Sequence, residues 1–270
     1  MRRNKRNTKV GVGARLGQHF LTGLWAAKQL AEAVGVRASE TILEIGPGKG
    51  ALTRELLATG APVIAVEKDE SLAQELHTTF AEEIRAGKFE IVVEDIRNVS
   101  AETLGLNTYV LAANIPYYIT GEIIRQFLET DIQPRAMALL VQKEVAERIL
   151  ARDHKESILS LSVKAYGTPK IVAKVSRGNF SPPPSVDSAI LLVSGISKKF
   201  FTDVDEDAFF KVVKSGFASK RKFLANNLAV AFGKLETQCA LEACALAPNV
   251  RAEDVPLEKW FDLARHYKIQ

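Results

Sequence analysis

The stretch from Thr41 to Gly50 constrains the fold more than any other. A short apolar run, Thr41–Ile45, passes into Gly46-Pro47-Gly48-Lys49-Gly50 and then into Ala51–Thr59, which has helical spacing. Glycine at alternate positions permits a tight turn and lets the backbone approach a ligand closely. The reading is strand, turn, helix. The pattern then repeats along the chain: a strand at Pro62–Val66 with Glu67 at its end, a helix over Glu70–Arg85, and a strand at Phe89–Val93 ending at Glu94-Asp95. A strand at Tyr109–Ala113 runs into Asn114, followed by a helix near 121–129, a strand at Ala136–Val141 and a helix near 143–151. Strands alternating with helices imply a parallel sheet with right-handed crossovers, hence an α/β fold.

An apolar helical pattern over 22–35 precedes this series and ends near Gly35. Two more strands are expected at Lys170–Val175 and Ala189–Val193, separated by a proline-rich segment. Beyond Phe201 no strand pattern remains; helices are expected near 205–217, 221–231, 236–245 and 257–267. The division that follows is a basic arm over 1–16, an α/β domain over 17–199 and a small helical domain over 200–270. The arm holds Arg2, Arg3, Lys5, Arg6, Lys9 and Arg15, and no Asp or Glu precedes Glu32. Net charge is +4, so the body without the arm is near neutral. Such an arm suits a phosphate backbone, or serves only as a solvated tail. No apolar run approaches the roughly 18 residues of a membrane span, and no leader peptide is expected. The two cysteines, Cys239 and Cys244, are expected to be packed thiols, and the four scattered histidines suggest no metal site.

The chemistry concentrates at the ends of the expected strands. A pyrophosphate bound at the glycine turn would be repelled by the carboxylate of Glu44, whereas the ammonium of a methionine moiety would be welcome. Gly46 and Gly48 would then admit a methyl donor of the S-adenosylmethionine type; the plainer reading is a bare strand–helix connection. Glu67 is placed to accept from both ribose hydroxyls, or else caps the next helix beside Lys68 and Asp69. Asp95 could accept from an adenine amino group while Ile96 packs on the ring. After the fourth strand comes Asn114-Ile115-Pro116-Tyr117. The Asn114 amide oxygen and the Pro116 carbonyl can each accept one hydrogen of an exocyclic amine, and the Tyr117 ring can stack on the base carrying it.

Three further segments attract attention. Phe180-Ser181-Pro182-Pro183-Pro184-Ser185-Val186-Asp187-Ser188 reads as a stiff extended loop. It could hold Phe180 opposite Tyr117 to sandwich a flipped base, or bury Phe180 in the core. Gly17-Gln18-His19-Phe20-Leu21 could close over the donor but carries no chemistry of its own. Lys220-Arg221-Lys222, with Lys211 and Lys214 nearby, forms a basic cluster expected at the start of a helix; it is either an RNA contact or a solvated face.

These segments together resemble the ribosomal RNA adenine N6,N6-dimethyltransferase family, closest to its small-subunit (16S) type. The likeness spans nearly the whole chain after the arm. It includes Gly17–Leu21, Glu44–Gly50 continuing as Ala51-Leu52-Thr53, Glu67-Lys68-Asp69, Glu94-Asp95-Ile96, Asn114–Tyr117, Gln142–Arg148, Phe180–Ser188 and Lys220–Leu228. Tyr118 occupies a position that the family varies. The resemblance implies a Rossmann-like class I methyltransferase sheet with a small C-terminal all-helical domain. It implies that His19, Leu21, Gly46, Glu67, Asp95 and Asn114 line the site of S-adenosyl-L-methionine, with no metal. Tyr117 and Phe180 would hold the base. The implied substrate is a pair of adjacent adenines in a hairpin loop near the 3′ end of small-subunit rRNA, within the assembling subunit. A cytoplasmic monomer without membrane association is expected. Two other readings stay open: an adenine methyltransferase acting on DNA, for which about 70 helical residues leave little recognition domain, and an assembly factor whose grip on the subunit matters more than catalysis.

Overall fold

The computed structural model describes residues 19–268. The basic arm, Gly17 and Gln18 therefore lie outside the described residues. In chain order the elements are β1 (Phe20–Leu21), α1 (Leu24–Val34), β2 (Thr41–Ile45), α2 (Ala51–Leu57), β3 (Val63–Glu67), α3 (Glu70–Thr79), α4 (Ala81–Arg85), β4 (Phe89–Val93) and β5 (Tyr109–Asn114). They continue with α5 (Thr120–Glu129), β6 (Ala136–Gln142), α6 (Lys143–Ile149), α7 (Ile158–Tyr166), β7 (Thr168–Val175), β8 (Phe180–Ser181) and β9 (Ser188–Ser194). The last four are α8 (Glu206–Gly216), α9 (Leu224–Phe232), α10 (Lys234–Ala243) and α11 (Leu257–Lys268).

Seven strands form one sheet in the order β4-β3-β2-β5-β6-β9-β7. From β4 to β6 the neighbours are parallel, as expected; β9 and β7 run antiparallel to their neighbours and close that edge. The chain runs outward from β2 to β4, then restarts on the other side of β2 at β5. The order reverses between β2 and β5, where open α/β sheets bind ligands beyond the carboxyl ends of their strands. Register places Ile45 level with both Val66 and Ala113, so the glycine turn, Glu67 and Asn114 emerge together.

Alternation along each strand divides the interior in two. Ile42, Val110 and Ala138 face a cluster with Ala27, Leu30, Leu56 and Phe80. Leu43, Leu111 and Leu139 face the opposite cluster, with Ile123, Phe127 and Leu161. That second cluster continues through Phe209, Val213, Leu228 and Trp260. Among the described residues, element type changes after β9, but the helices of the C-terminal part share the apolar core of the sheet. Trp260 is fully buried, stacks on Phe217 with ring centroids 5.4 Å apart, and donates its indole N–H to the Val255 carbonyl at 3.1 Å.

Several elements differ from the sequence expectation. The helix expected over Glu70–Arg85 breaks at Phe80, whose ring is 2% exposed and packs edge-on to Phe89. Helix α7 was not anticipated; Ser157 caps it, with Ser160 returning the bond. The basic triplet does not open a helix. Lys220, Arg221 and Lys222 occupy the turn before α9, which the buried Asn227 braces by donating to the carbonyls of Gly216 (2.6 Å) and Ser219 (2.9 Å). Of the two thiols only Cys244 is packed; Cys239 is exposed on α10.

Candidate functional site

Beyond the carboxyl ends of β2, β3, β4 and β5 lies a single cavity. His19, Leu21, Glu44, Gly46, Gly48, Glu67, Asp95, Ile96, Asn114, Pro116 and Tyr117 all line it. Residues up to 98 positions apart in sequence, His19 and Tyr117, thus meet in one place. Phe180 and the basic triplet do not line it.

The glycine turn is shaped by its surroundings. Gly48 has φ +56°, and a Cβ there would sit 3.0 Å from the Phe20 ring. Phe20 can close on the turn only because that position carries no side chain. Lys49 extends over the same ring, with Nζ 5.4 Å from its centroid. The Gly48 amide donates to Glu67 Oε2 at 3.1 Å, and the Asp69 amide donates to Oε1 at 2.9 Å. Glu67 is therefore held rigidly at the end of β3, 5% exposed, with one backbone donor on each oxygen. A carboxylate offers about four acceptor positions, so each oxygen keeps room for one more donor, such as a ribose hydroxyl.

Glu44 is different. It is 1% exposed, and neither carboxylate oxygen has a hydrogen-bond partner. Burial pushes its carboxyl up to about 8; the neighbouring Thr53 hydroxyl opposes this and the Glu67 charge adds to it. A buried, unpartnered carboxylate facing a cavity is costly unless something in the cavity pairs with it. A ligand ammonium would do so, and this is the structural feature that fits the methionine end of the donor.

Asp95 corrects the sequence reading. Its Oδ2 accepts from Lys68 Nζ at 2.7 Å and Arg97 Nη2 at 2.5 Å. Its Oδ1 accepts from Arg97 Nε at 2.9 Å and the Arg97 amide at 3.1 Å. Those four donors fill the carboxylate, and they hold it well below the usual carboxylate range, Arg97 first and Lys68 second. An adenine amino group can bond Asp95 only if one of these donors leaves. Lys68 is the candidate, since its side chain is 69% exposed. Ile96, 6% exposed, closes the apolar wall beside it.

At the end of β5 the Asn114 side chain donates from Nδ2 to the His19 carbonyl at 3.0 Å. A carbonyl can only accept, so the amide nitrogen must face it and Oδ1 is left as an acceptor in the cavity. The Pro116 carbonyl accepts from the Ile119 amide at 3.1 Å and retains a second lone pair. Tyr117 begins the following 3-10 turn. Its hydroxyl pairs with Ser188 Oγ at 2.7 Å, which fixes the ring, and half-burial raises its phenol above the ordinary value.

Phe180 is the second correction. It sits in β8, opposite Leu21 of β1, and is 4% exposed among Leu21, Leu30 and Val175. A ring so covered has no free face for a base; Tyr117 stands in the cavity without it. Phe20, from the segment expected over the donor, also lines the cavity, as do Lys68, Arg97 and the 74% exposed Tyr118, which the sequence reading does not name as site residues. Lys68 and Arg97 flank the acidic strand ends in sequence, a charge pattern that could have flagged the ion pairs. Among the described residues no group of three or more His, Cys, Asp or Glu is placed to hold a metal ion. No helix there is long and apolar enough to cross a membrane.

The sequence model of the family described as "Ribosomal RNA adenine dimethylase" matches residues 12–268. The chain is 41% identical over 250 residues to a "Ribosomal RNA small subunit methyltransferase A" of Dehalococcoides mccartyi, covering 91% of this chain and 84% of the relative. It is 36% identical to the protein of that name from Moorella thermoacetica, covering 92% and 90%. Among solved structures it is similar to a dimethyladenosine transferase from Plasmodium falciparum, with TM-score 0.76 and 24% identity over 91% of this chain and 96% of the other. The 23S rRNA methyltransferase ErmE superimposes with TM-score 0.74 at 24% identity, over 92% of this chain and 99% of its own. At that identity the two structures speak for the fold alone.

Proposed function

We infer the function from one premise: this chain belongs to the ribosomal RNA adenine dimethylase family. Its fold is the Rossmann-like class I methyltransferase sheet followed by helices. The chain is an S-adenosylmethionine-dependent rRNA adenine dimethyltransferase acting on small-subunit rRNA. The finer target is N6 of two adjacent adenines in a hairpin loop near the 3′ end of that rRNA, methylated during subunit assembly in the cytoplasm by the monomeric protein. Unstacked loop bases suit such a site, because A-form duplex hides the base edges.

The observation that carries the reading is that the glycine turn with its orphan Glu44 and the Asn114–Tyr117 turn open on one cavity. S-adenosylmethionine supplies a sulfonium methyl there. Glu44 offers its carboxylate to the ammonium, Glu67 its free lone pairs to the ribose hydroxyls, and Ile96 an apolar wall to the donor's adenine, with Asp95 accepting once Lys68 moves. Leu21, Gly46, Gly48 and the His19 backbone complete the donor side. On the acceptor side, Asn114 Oδ1 and the Pro116 carbonyl each take one hydrogen of the target amine. The amine lone pair is delocalised into the base. Two acceptors favour the pyramidal nitrogen and aim its lone pair, which is orientation plus transition-state electrostatics. Tyr117 offers a face for the flipped base. Lys220, Arg221 and Lys222, displayed on a braced turn, are suited to phosphate contacts.

The test is mass analysis of the 3′ fragment of unmethylated small-subunit rRNA after incubation with the protein and S-adenosylmethionine. Four added methyl groups on two neighbouring adenines are expected. Methylation confined to other nucleotides would refute the finer target.

A further inference from the structure

The residues linking β1 to the site form a connected device. Phe20 and Leu21 pair with Ser181 and Phe180, and the amides of Thr22 and Gly23 donate to the Asn179 carbonyl at 2.8 and 3.2 Å. Residues 19–23 are thus strapped along 179–182. His19 stands at the end of the strap and makes three contacts. Its Nδ1 bonds the Pro182 carbonyl at 2.8 Å; that carbonyl can only accept, so Nδ1 carries the hydrogen. Its ring lies 5.8 Å from the Tyr117 ring at 31°. Its own carbonyl receives the Asn114 amide at 3.0 Å.

We propose that His19 is a positioning residue for methyl transfer, whose main-chain carbonyl sets the polarity of the Asn114 amide. The inference rests on Asn114 Oδ1 accepting from the target amine. An Asn side chain presents a donor or an acceptor to a given point depending on a half-turn about its last bond. Turned the wrong way, Asn114 would present N–H groups to the amine hydrogens. Within the described structure the group that fixes the turn is the His19 carbonyl. That carbonyl stays in place because the imidazole is tethered to Pro182 and the strap is paired with β8. The same residue braces the Tyr117 face. The strap that borders the donor side and the groups that orient the reaction centre are therefore one connected structure.

Position 23 gives a way to disturb the strap from outside the cavity. A Cβ on Gly23 would fall 2.0 Å from Asn179 Oδ1 and 2.8 Å from its Cγ. Gly23→Ala should lift the strap, and a second change, Asn179→Ala, should remove most of the clash. His19→Ala cuts the tether without adding an atom. His19→Asn can restore a donor to the Pro182 carbonyl but brings no ring.

The experiment measures three quantities on each variant: the single-turnover rate on unmethylated small-subunit rRNA at saturating donor, donor affinity by calorimetry, and melting temperature. His19→Ala and Gly23→Ala are expected to lower the rate about tenfold, the loss of one oriented hydrogen bond. Donor affinity should fall as well, because the strap borders the donor side, but a rate read at saturating donor reports the reaction centre alone. His19→Asn should recover the rate, and Gly23→Ala with Asn179→Ala should approach Asn179→Ala alone. Unchanged rates, or a loss confined to donor affinity, would overturn the proposal. Failure of His19→Asn to recover would assign the loss to the missing ring against Tyr117 and overturn it too. If Gly23→Ala does not fold, the His19 pair decides alone. Asn114→Ala separates the two levels: if it stays active, the reading of Asn114 itself falls, whereas an inactive Asn114→Ala beside a fully active His19→Ala removes only the strap.

Discussion

Glu44 makes a quantitative demand on donor binding. In the free protein its carboxyl is raised to about 8 by burial. At pH 7 about a tenth of the molecules then carry the charge, and at pH 6 about a hundredth. If the ligand ammonium pairs with the carboxylate, binding must draw the proton off Glu44 first. That costs about 1.4 kcal/mol per pH unit below 8. Donor affinity should therefore rise about tenfold from pH 6 to 7, and more gently to 7.5. Above that the ligand's own α-amino group, with an ordinary pKa near 8, begins to lose its proton. Calorimetry in two buffers of different protonation enthalpy should find close to one proton released per donor bound at pH 7. Glu44→Gln should release none and show little pH dependence over the same interval. The free protein responds with the opposite sign. A carboxyl whose folded pKa lies above its unfolded 4.5 stabilises the fold below that pH, and the contribution is lost as pH rises through about 8. Glu44→Gln should thus gain in melting temperature relative to wild type between pH 6 and 9. No proton exchange, together with affinity flat from pH 6 to 7.5, would refute the pairing of Glu44 with the ammonium.

Other perturbations follow from the same geometry. Glu67→Ala should weaken S-adenosylmethionine by about 10- to 150-fold, since a charged acceptor is lost; unchanged calorimetric affinity would remove Glu67 from the site. Phe180→Leu opens space in the core beside Leu21 and should cost about 1–2 kcal/mol. It should lower the melting temperature by a few degrees while sparing the rate per folded molecule, and a large rate loss without destabilisation would return Phe180 to the base. Neutralising Lys220, Arg221 and Lys222 should flatten the salt dependence of rRNA binding by about 0.7–0.9 in log–log slope per lost phosphate contact. Identical slopes in filter-binding titrations would reduce the triplet to solvated surface.

The sheet was legible because its strands are nearly pure apolar runs bounded by turn residues, as buried parallel strands must be. Thr41–Ile45 and Phe89–Val93 fall at the residues expected. The acidic strand ends and Asn114 could be placed at one rim because parallel topology brings carboxyl ends together. Short-range signals failed elsewhere. In Ile158–Tyr166, serines alternate with apolar residues, a period of two that masks a helix. The strands β1 and β8 are two residues each, too short for any period. Their pairing joins residues 159 and 161 positions apart and decides that Phe180 is buried. The filled state of Asp95 has the same origin: Lys68 and Arg97 meet there only because β3 and β4 are neighbours. Residue type is read locally, whereas long-range pairing decides which of these side chains are free to bind.

The most direct measurement of the central claim compares Asn114→Ala with wild type on unmethylated small-subunit rRNA. The single-turnover rate of methyl transfer to adenine N6 and the affinity for S-adenosylmethionine are measured on the same preparations. Asn114 Oδ1 is the acceptor that the His19 carbonyl leaves facing the cavity. Its removal should abolish transfer within detection while donor affinity stays within a few-fold, one neutral contact being worth about that much. Methylation by Asn114→Ala within a few-fold of the wild-type rate would contradict the account.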